Sequence, residues 1–360
     1  MINMKGCGDM KFRRTLCCLL AGAILSVPLL TGCDNGKKET SSVSQTSAVT
    51  SADSSAEKSD VSDEKSTVTS DVSDEKSTIT PAMWKAEDNY GHYCYLFGTV
   101  HAADDSADIM PDYFEKAYLD SDAIGVEADV TTILEDPMSA AGLSKYLMYM
   151  DGTTIKDHIS EETYNGINEV MKNNANSYFE HMYDMFTPVA WTSIFEGEIL
   201  TKCGLDTNKG IDVNAIKRAK SESKEVIELE SIEYQAQMFE RISDKAGELI
   251  LVPYTTQEGF DQQVAEMKQL YDAWKYGRPI ENNINESQLA ELDEEIRKAI
   301  EYYNDEMLVK RNAAMADKIS EYLNDGKKVL VMVGAAHFYG DDGIVKLMES
   351  KGFKVTSLSA

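Results

Sequence analysis

The feature that most constrains the fold is a short apolar segment that occurs twice, each time followed by Gly-x-x-His and then by a pair of aspartates. In the copy near the end of the chain, five consecutive apolar residues, three of them valines, precede Gly334 and His337. Such a run predicts a short strand that is buried on both faces. The upstream copy leads through Gly98 to His101 in the same way.

Both histidines follow the carboxyl end of a predicted strand, which is where open α/β sheets bind ligands. A single copy of this pattern is weak evidence, because a lone histidine is usually structural. Two copies that bracket the length of one domain indicate instead that His101 and His337 belong to one site.

Carboxylates follow two further predicted strands. Residues 122–129 form a buried strand by pattern with Glu127 near its end, and residues 224–230 form another that ends at Glu230. A carboxylate in an apolar strand costs free energy unless it is paired or bound to a metal. Glu127 is therefore either the partner of a buried Lys or Arg, or a ligand or general base at the same sheet edge as His101; we favour the second interpretation.

A helix predicted over 305–324 carries an arginine on its apolar face. At 100° per residue, the apolar stripe of this helix includes Met315 and Ile319, Arg311 lies on the same stripe, and Asn312 lies at its edge. A guanidinium that faces the core must bind an anion. Two interpretations stay open: a buried ion pair with Glu127 or Glu230, or a substrate-binding arginine.

Strand and helix patterns alternate along the rest of the chain. Residues 133–203 and 232–304 are mostly helical in pattern, with breaks at Gly247, Pro253 and residues 277–279. The other predicted elements are a strand or hairpin over 84–97, helices over 111–119, 210–219 and 343–351, and a final strand over 353–358. The pattern predicts an α/β fold: a single large domain with a central, mainly parallel or mixed sheet, flanked by helices, with a helical insertion and two repeated strand–Gly-x-x-His halves.

The amino-terminal part predicts export and anchoring. Residues 1–33 have the basic and apolar regions of a secretory signal and end in Leu-Thr-Gly-Cys, which resembles a bacterial lipobox with Cys33 as the lipidated residue. An ordinary cleaved signal or an uncleaved anchor is the alternative. Residues 34–80 contain a tandem eleven-residue repeat and lack aromatic residues, so we expect a disordered spacer. The remaining residues, 81–360, form the predicted folded domain.

Charge and motifs exclude several classes of protein. Residues 1–33 carry +3 and residues 34–80 carry −5, which leaves −25 of the net charge of −27 on the domain and argues against nucleic acid as a partner. Only Cys94 and Cys203 lie in the domain, so no disulfide framework is expected. The sequence contains no His-Glu-x-x-His, no Gly-x-Ser-x-Gly and no glycine-rich phosphate loop, and Cys94 lies inside a predicted strand where it makes a poor nucleophile.

The candidate residues that remain are of the types that bind a metal ion. His101, Glu127 and His337 are expected to converge at one sheet edge. Two imidazoles and a carboxylate suit Zn, Mn, Fe or Co and leave positions open for water.

These residues resemble the TraB/PrgY/GumN family, which is related to the animal Tiki proteins. The resemblance covers most of 93–358 and matches only loosely over 133–205. It rests on the blocks Leu96–His101, 121–127, Gly210-Ile211-Asp212, 229–235, Lys310-Arg311-Asn312 and 333–343. It implies a Tiki-like or erythromycin-esterase-like fold and, by analogy with the Tiki proteins, metal-dependent peptidase activity that favours Mn or Co. Other members are associated with peptide-pheromone shutdown or polysaccharide loci.

We therefore predict a metal-dependent hydrolase, a peptidase, held by the lipid on Cys33 at the extracytoplasmic face of a bacterial cell membrane. The alternative is a non-catalytic protein that binds or sequesters a peptide. The predicted catalytic residues are His101, Glu127, Arg311 and His337, and His101, Glu127 and His337 are the predicted metal ligands. The predicted substrate-binding residues are Arg311, Asn312, Asp212 and Glu230.

Overall fold

A mixed sheet lies at the centre of the computed structural model, which describes residues 77–175, 181, 183–280 and 294–359. Its strands are β1 (Met83–Glu87), β2 (Tyr93–Thr99), β3 (Ala123–Val126), β4 (Glu225–Glu228), β5 (Val329–Gly334) and β6 (Lys354–Ser357). They are arranged in the order β4-β3-β5-β2-β1-β6. The first four strands in this order are parallel to one another, whereas β1 pairs antiparallel with both β2 and β6. The predicted α/β class with a mixed sheet is therefore confirmed.

The two strands that precede Gly-x-x-His are neighbours. β2 and β5 pair in parallel with Gly98 opposite Val333 and Thr99 opposite Gly334. A Cβ atom at Gly98 would lie 2.9 Å from the Cα atom of Ala335, so glycine allows the turn after β5 to pack directly on β2. Every residue of β5 except the last is buried, as predicted for a central strand. The predicted repetition of two halves, and the likeness to erythromycin esterases, stay predictions.

Helices cover both faces of the sheet. They are α1 (Asp112–Asp120), α2 (Thr131–Glu135), α3 (Pro137–Leu147), α4 (Glu161–Asn174), α5 (Pro188–Cys203), α6 (Ile211–Ser221), α7 (Ile232–Glu240), α8 (Asp244–Leu251), α9 (Gln257–Lys275), α10 (Glu294–Asn304), α11 (Lys310–Asn324) and α12 (Ile344–Ser350). Helices α1, α6 and α9 pack on one face of the sheet, and α11 and α12 pack on the other. The helical insertion has two apolar clusters of its own, built largely by α3 to α5 and α7 to α10.

Two predicted helix boundaries are wrong. Helix α8 continues through Gly247 because that glycine packs against α5: a Cβ atom there would lie 2.8 Å from Cγ of Pro188. The helix predicted to begin at residue 305 is preceded directly by α10, and a π-helical turn at Asp305–Val309 joins α10 to α11. The backbone is therefore helical without interruption from Glu294 to Asn324. The predicted breaks at Pro253 and near residue 277 are confirmed.

The predicted signal, the predicted lipidation site Cys33 and the predicted spacer up to residue 76 lie outside the described residues. Ile79, at the end of the predicted spacer, is 1% exposed and packs in the core beneath the sheet. Within the described ranges, no helix combines the length and the apolar character needed to cross a membrane. Cys94 and Cys203 are both free thiols.

Candidate functional site

Three neighbouring strand ends bring the predicted site residues together. His101 follows β2, Glu127 follows β3 directly, and His337 lies in the 3-10 turn Ala335–Phe338 that follows β5. His337 Nε2 lies 3.8 Å from Glu127 Oε1. The strands β3, β5 and β2 are parallel neighbours in the sheet, so their carboxyl ends lie at the same edge. The structure thus places all three at one sheet edge, as the sequence predicts.

Glu127 is an ionised carboxylate in the interior. Its side chain is buried, its Oε1 accepts a hydrogen bond of 2.6 Å from the Gly334 amide, and its Oε2 accepts one of 2.5 Å from Arg311. Burial raises the pKa of Glu127, but the positive charge of Arg311, together with nearby histidine charge and the Gly334 amide hydrogen bond, outweighs burial and lowers the pKa to about 2.

Arg311 joins Glu127 to Glu230. Its Nε lies 3.0 Å from both oxygens of Glu230, its Nη2 donates to both carboxylates, and its Nη1 donates to the Met307 carbonyl. Gln235 also donates to Glu127 and Glu230, at 3.3 and 3.0 Å. Of the two interpretations that the sequence leaves open for Arg311, these contacts are those of the buried ion pair, and they involve both carboxylates at once. Contact of Arg311 and Glu230 with a substrate stays a prediction.

Asn312 fixes the proton position of His337. The Asn312 amide nitrogen donates to the Asp342 carbonyl at 2.9 Å, so its oxygen is the atom that faces His337 Nδ1 at 2.6 Å. Nδ1 must then carry the hydrogen. Burial and the charge of Arg311 lower the pKa of His337 to about 3, so the ring is neutral. Its Nε2 therefore presents a lone pair towards Glu127. Asn312, predicted to bind substrate, contacts His337 instead, and its substrate role stays a prediction.

Asp212 holds His101 in a similar way. His101 Nδ1 donates to Asp212 Oδ2 at 2.5 Å. The loop before α6 packs so tightly on the backbone of His101 that a Cβ atom at Gly210 would lie 2.5 Å from the His101 carbonyl oxygen. Burial lowers the pKa of His101, but the charge and hydrogen bond of Asp212, together with the charges of Glu127 and Glu196, outweigh burial and raise the pKa to about 9. The other oxygen of Asp212 is buried and finds no partner among the described residues. A substrate contact by Asp212 stays a prediction.

The donor set fits a divalent cation in its chemistry. Each imidazole is tied through Nδ1 to an acceptor, the arrangement that orients metal-binding histidines and leaves Nε2 for the metal. His337 Nε2 and Glu127 Oε1, 3.8 Å apart, can both reach one ion at metal–ligand distances of about 2.0–2.2 Å. Over the part of the chain that the structure describes, however, no three His, Cys, Asp or Glu side chains are close enough to form a complete centre. His337 and Glu127 are close enough to be two ligands of one ion, and His101 is the candidate for the third ligand.

One further carboxylate near the site was missed by the sequence analysis. Glu196 lies on α5, and its charge raises the pKa of His101. Burial raises the pKa of Glu196 to about 7, with a smaller opposing effect from His101. The signal available in the sequence was an acidic residue between Phe195 and Ile199, two apolar positions of the same predicted helical region.

Comparison with known proteins gives the family of this chain. The model of the TraB/PrgY/gumN family matches residues 82–357. Two similar proteins, both named Uncharacterized protein YbaP, are 25% identical to this chain: the Shigella flexneri protein over 256 residues, covering 71% of this chain and 88% of its own length, and the Escherichia coli (strain K12) protein over 254 residues, covering 71% and 87%. No solved structure matches the chain. The family match spans most of the chain, from β1 to the end of β6, and this protein belongs to the TraB/PrgY/gumN family.

Proposed function

We propose that this protein is a metal-dependent hydrolase, a peptidase, whose metal is held by His101, Glu127 and His337. The observation that carries the proposal is the pair formed by His337 and Glu127. A neutral imidazole with a bare Nε2 faces an ionised carboxylate oxygen across 3.8 Å in a buried site. Two electron-pair donors that face one another repel unless a cation lies between them.

The other charged and polar residues position these donors. Asp212 and Asn312 orient the two imidazoles, and Arg311 with Glu230 keeps Glu127 ionised and fixed in place. When bound, the metal would polarise a carbonyl group and lower the pKa of its water. The family resemblance favours Mn or Co, with Zn or Fe as the alternatives. The Tiki resemblance is the source of the peptidase assignment.

A non-catalytic peptide-binding protein is the second candidate, and one observation favours it. Glu127 already accepts hydrogen bonds on both oxygens, and in the described ranges no complete three-ligand centre is formed. Both features fit a buried ion-pair network that supports the wall of a peptide-binding cleft.

Cleavage of peptides by the full-length protein separates the two candidates. After chelation, wild type should cleave members of a random peptide library when Mn is restored, whereas His337→Ala and Glu127→Gln should not. His158→Ala is the matched control, because His158 contacts Asp244 and Thr153 away from the site. A wild-type protein that binds peptides and cleaves none with Mn, Co, Zn or Fe would favour the second candidate.

We also propose that a lipid on Cys33 anchors the protein to the outer face of the cell membrane, where its partners would be peptides or proteins rather than nucleic acid. The basis is the lipobox-like sequence before Cys33. Cys33→Ala should release the protein from the membrane fraction or leave the signal unprocessed. A variant that fractionates and migrates like wild type would contradict the anchor.

A further inference from the structure

A small pocket lined by both apolar and polar side chains lies between helices α5 and α9. Thr192 and Glu196 occupy successive turns of α5, and Gln263 and Glu266 occupy one side of α9 at helical spacing. Met267 and Leu270 add apolar wall, and the volume of the pocket is about 20 Å³. We call this space the acidic pocket. It has room for one group the size of a water molecule.

Polar atoms in this pocket lack partners. Gln263 is 3% exposed, and neither its amide nitrogen nor its amide oxygen has a hydrogen-bond partner in the described part of the chain. Glu266 is 5% exposed; its Oε1 accepts from Gln262 at 2.8 Å, but its Oε2 has no partner there either. Buried polar groups are nearly always hydrogen-bonded, so unpaired donors and acceptors around one cavity indicate a missing occupant.

The charge of the pocket specifies the kind of occupant. Neither Glu196 nor Glu266 forms a salt bridge to any residue that the structure describes. Burial raises the pKa of the Glu196 carboxyl group to about 7, and a cation bound beside it would favour the ionised form. A primary ammonium group carries three donors on one small centre, which matches the carboxylates of Glu196 and Glu266 and the amide oxygen of Gln263. The apolar wall suits the methylene chain that would carry such a group.

Helix α9, which lines the acidic pocket, also contacts the chain at the end of β2. Tyr271 on α9 donates to Asp104, just after His101, at 2.9 Å, and Trp274 on the same helix donates to the Gly98 carbonyl at 2.8 Å. Glu266 precedes Tyr271 by five residues, which is about 7.5 Å along a helix. Helix α9 therefore links the acidic pocket to the end of β2.

We propose that the acidic pocket binds a primary ammonium group of a peptide, supplied either by a lysine side chain or by a free amino terminus. The assignment of this peptide as a substrate rests on the proposed function. The binding itself does not, because the pocket is built from residues other than the three predicted metal ligands.

The test compares matched peptide pools on the full-length protein. The pools are random octapeptides with one fixed lysine or with norleucine in its place, each with a free or an acetylated amino terminus. Bound peptide is measured by equilibrium dialysis and mass spectrometry, and cleavage is measured in parallel with Mn. A charge-assisted hydrogen bond in a buried site is worth about tenfold or more in binding. We therefore expect wild type to prefer the pools that carry an accessible ammonium group by at least about tenfold.

Variants establish where the preference arises. Glu266→Gln and Glu196→Gln each keep the side-chain shape while removing the charge, and each should reduce the preference about tenfold. Glu198→Gln is the matched control: it removes the same charge from the same helix, outside the pocket. Thermal melts establish that each variant is folded, and the use of two independent variants keeps the test decisive if one of them unfolds.

The outcomes separate this proposal from the proposed function. Preference for lysine pools identifies a side-chain site, whereas loss of binding on acetylation identifies an amino-terminal site. Preferential binding without cleavage would support the pocket and contradict the hydrolase. Cleavage with equal use of lysine and norleucine pools, free or acetylated, would support the hydrolase and refute the pocket, as would a preference that Glu266→Gln and Glu196→Gln leave unchanged.

Discussion

Replacing Arg311 by methionine removes the cation that lies between two buried carboxylates. Methionine preserves much of the side-chain volume, so the change isolates the charge and the hydrogen bonds. Glu127 and Glu230, which are 6% and 8% exposed, then face each other without a counter-charge, and the Met307 carbonyl loses its donor. Breaking a buried ion pair from one side costs about 3–5 kcal/mol of unfolding free energy, because the remaining charge is left desolvated. For a domain of this size, about 2 °C per kcal/mol gives a fall in melting temperature of about 6–10 °C.

Urea unfolding at pH 7, followed by circular dichroism, measures this loss. Arg297→Met is the matched control, because Arg297 pairs with Glu301 on the exposed side of α10. Its replacement should lower the unfolding free energy by less than about 0.5 kcal/mol.

The difference in unfolding free energy between wild type and Arg311→Met should also depend on pH. In wild type the pKa of Glu127 is about 2, below its ordinary value of 4.5, so its stabilising contribution is present above pH 4.5 and is lost as the pH falls towards 2. The two proteins should therefore converge in stability at low pH. A loss in Arg311→Met no larger than that in Arg297→Met, or one that does not change with pH, would refute the ion-pair account.

Two further predictions concern the packing beside His101 and the burial of Cys94 in β2. Gly210→Ala would place a Cβ atom 2.5 Å from the His101 carbonyl oxygen and should cost about 1–3 kcal/mol in urea unfolding. Gly197→Ala, within α5 and with no atom near its added Cβ, should instead be neutral or stabilising by up to about 1 kcal/mol, and equal effects of the two substitutions would contradict the packing. Burial raises the pKa of Cys94 to about 12, so at pH 8 iodoacetamide should label the partly buried Cys203 well before Cys94 in the native protein. Mass spectrometry of the digested protein measures this order, and rapid labelling of Cys94 would show that β2 opens readily.

Local sequence patterns were sufficient to predict which residues follow the carboxyl ends of the strands. The apolar run before Gly334 is interpretable without tertiary information, because such a run is typical of a strand that is buried on both faces. The buried side of α11 also followed from helical periodicity, which placed Arg311 on the apolar face correctly.

The partners of the site residues were not predictable in the same way. The sequence left Glu127 or Glu230 as alternatives for Arg311, and only the spatial arrangement shows that the guanidinium contacts both. The contacts of Asp212 and Asn312 with the two histidines depend on the packing of α6 and α11, which no local pattern encodes. Glu196 was missed for the same reason, since it approaches the site from the helical insertion.

The metal content of the full-length protein tests the central proposal most directly. Purified wild type, His101→Ala, Glu127→Ala and His337→Ala are each dialysed against Mn, and metal per chain is measured by mass spectrometry beside thermal melts. We predict one metal per chain in wild type and almost none in each folded variant, with a double His101→Ala, His337→Ala variant losing little more than either single one because the ligands act as a unit. Folded wild type that cannot be loaded with Mn, Co, Zn or Fe, or a folded His337→Ala variant that keeps its metal, would contradict the proposal.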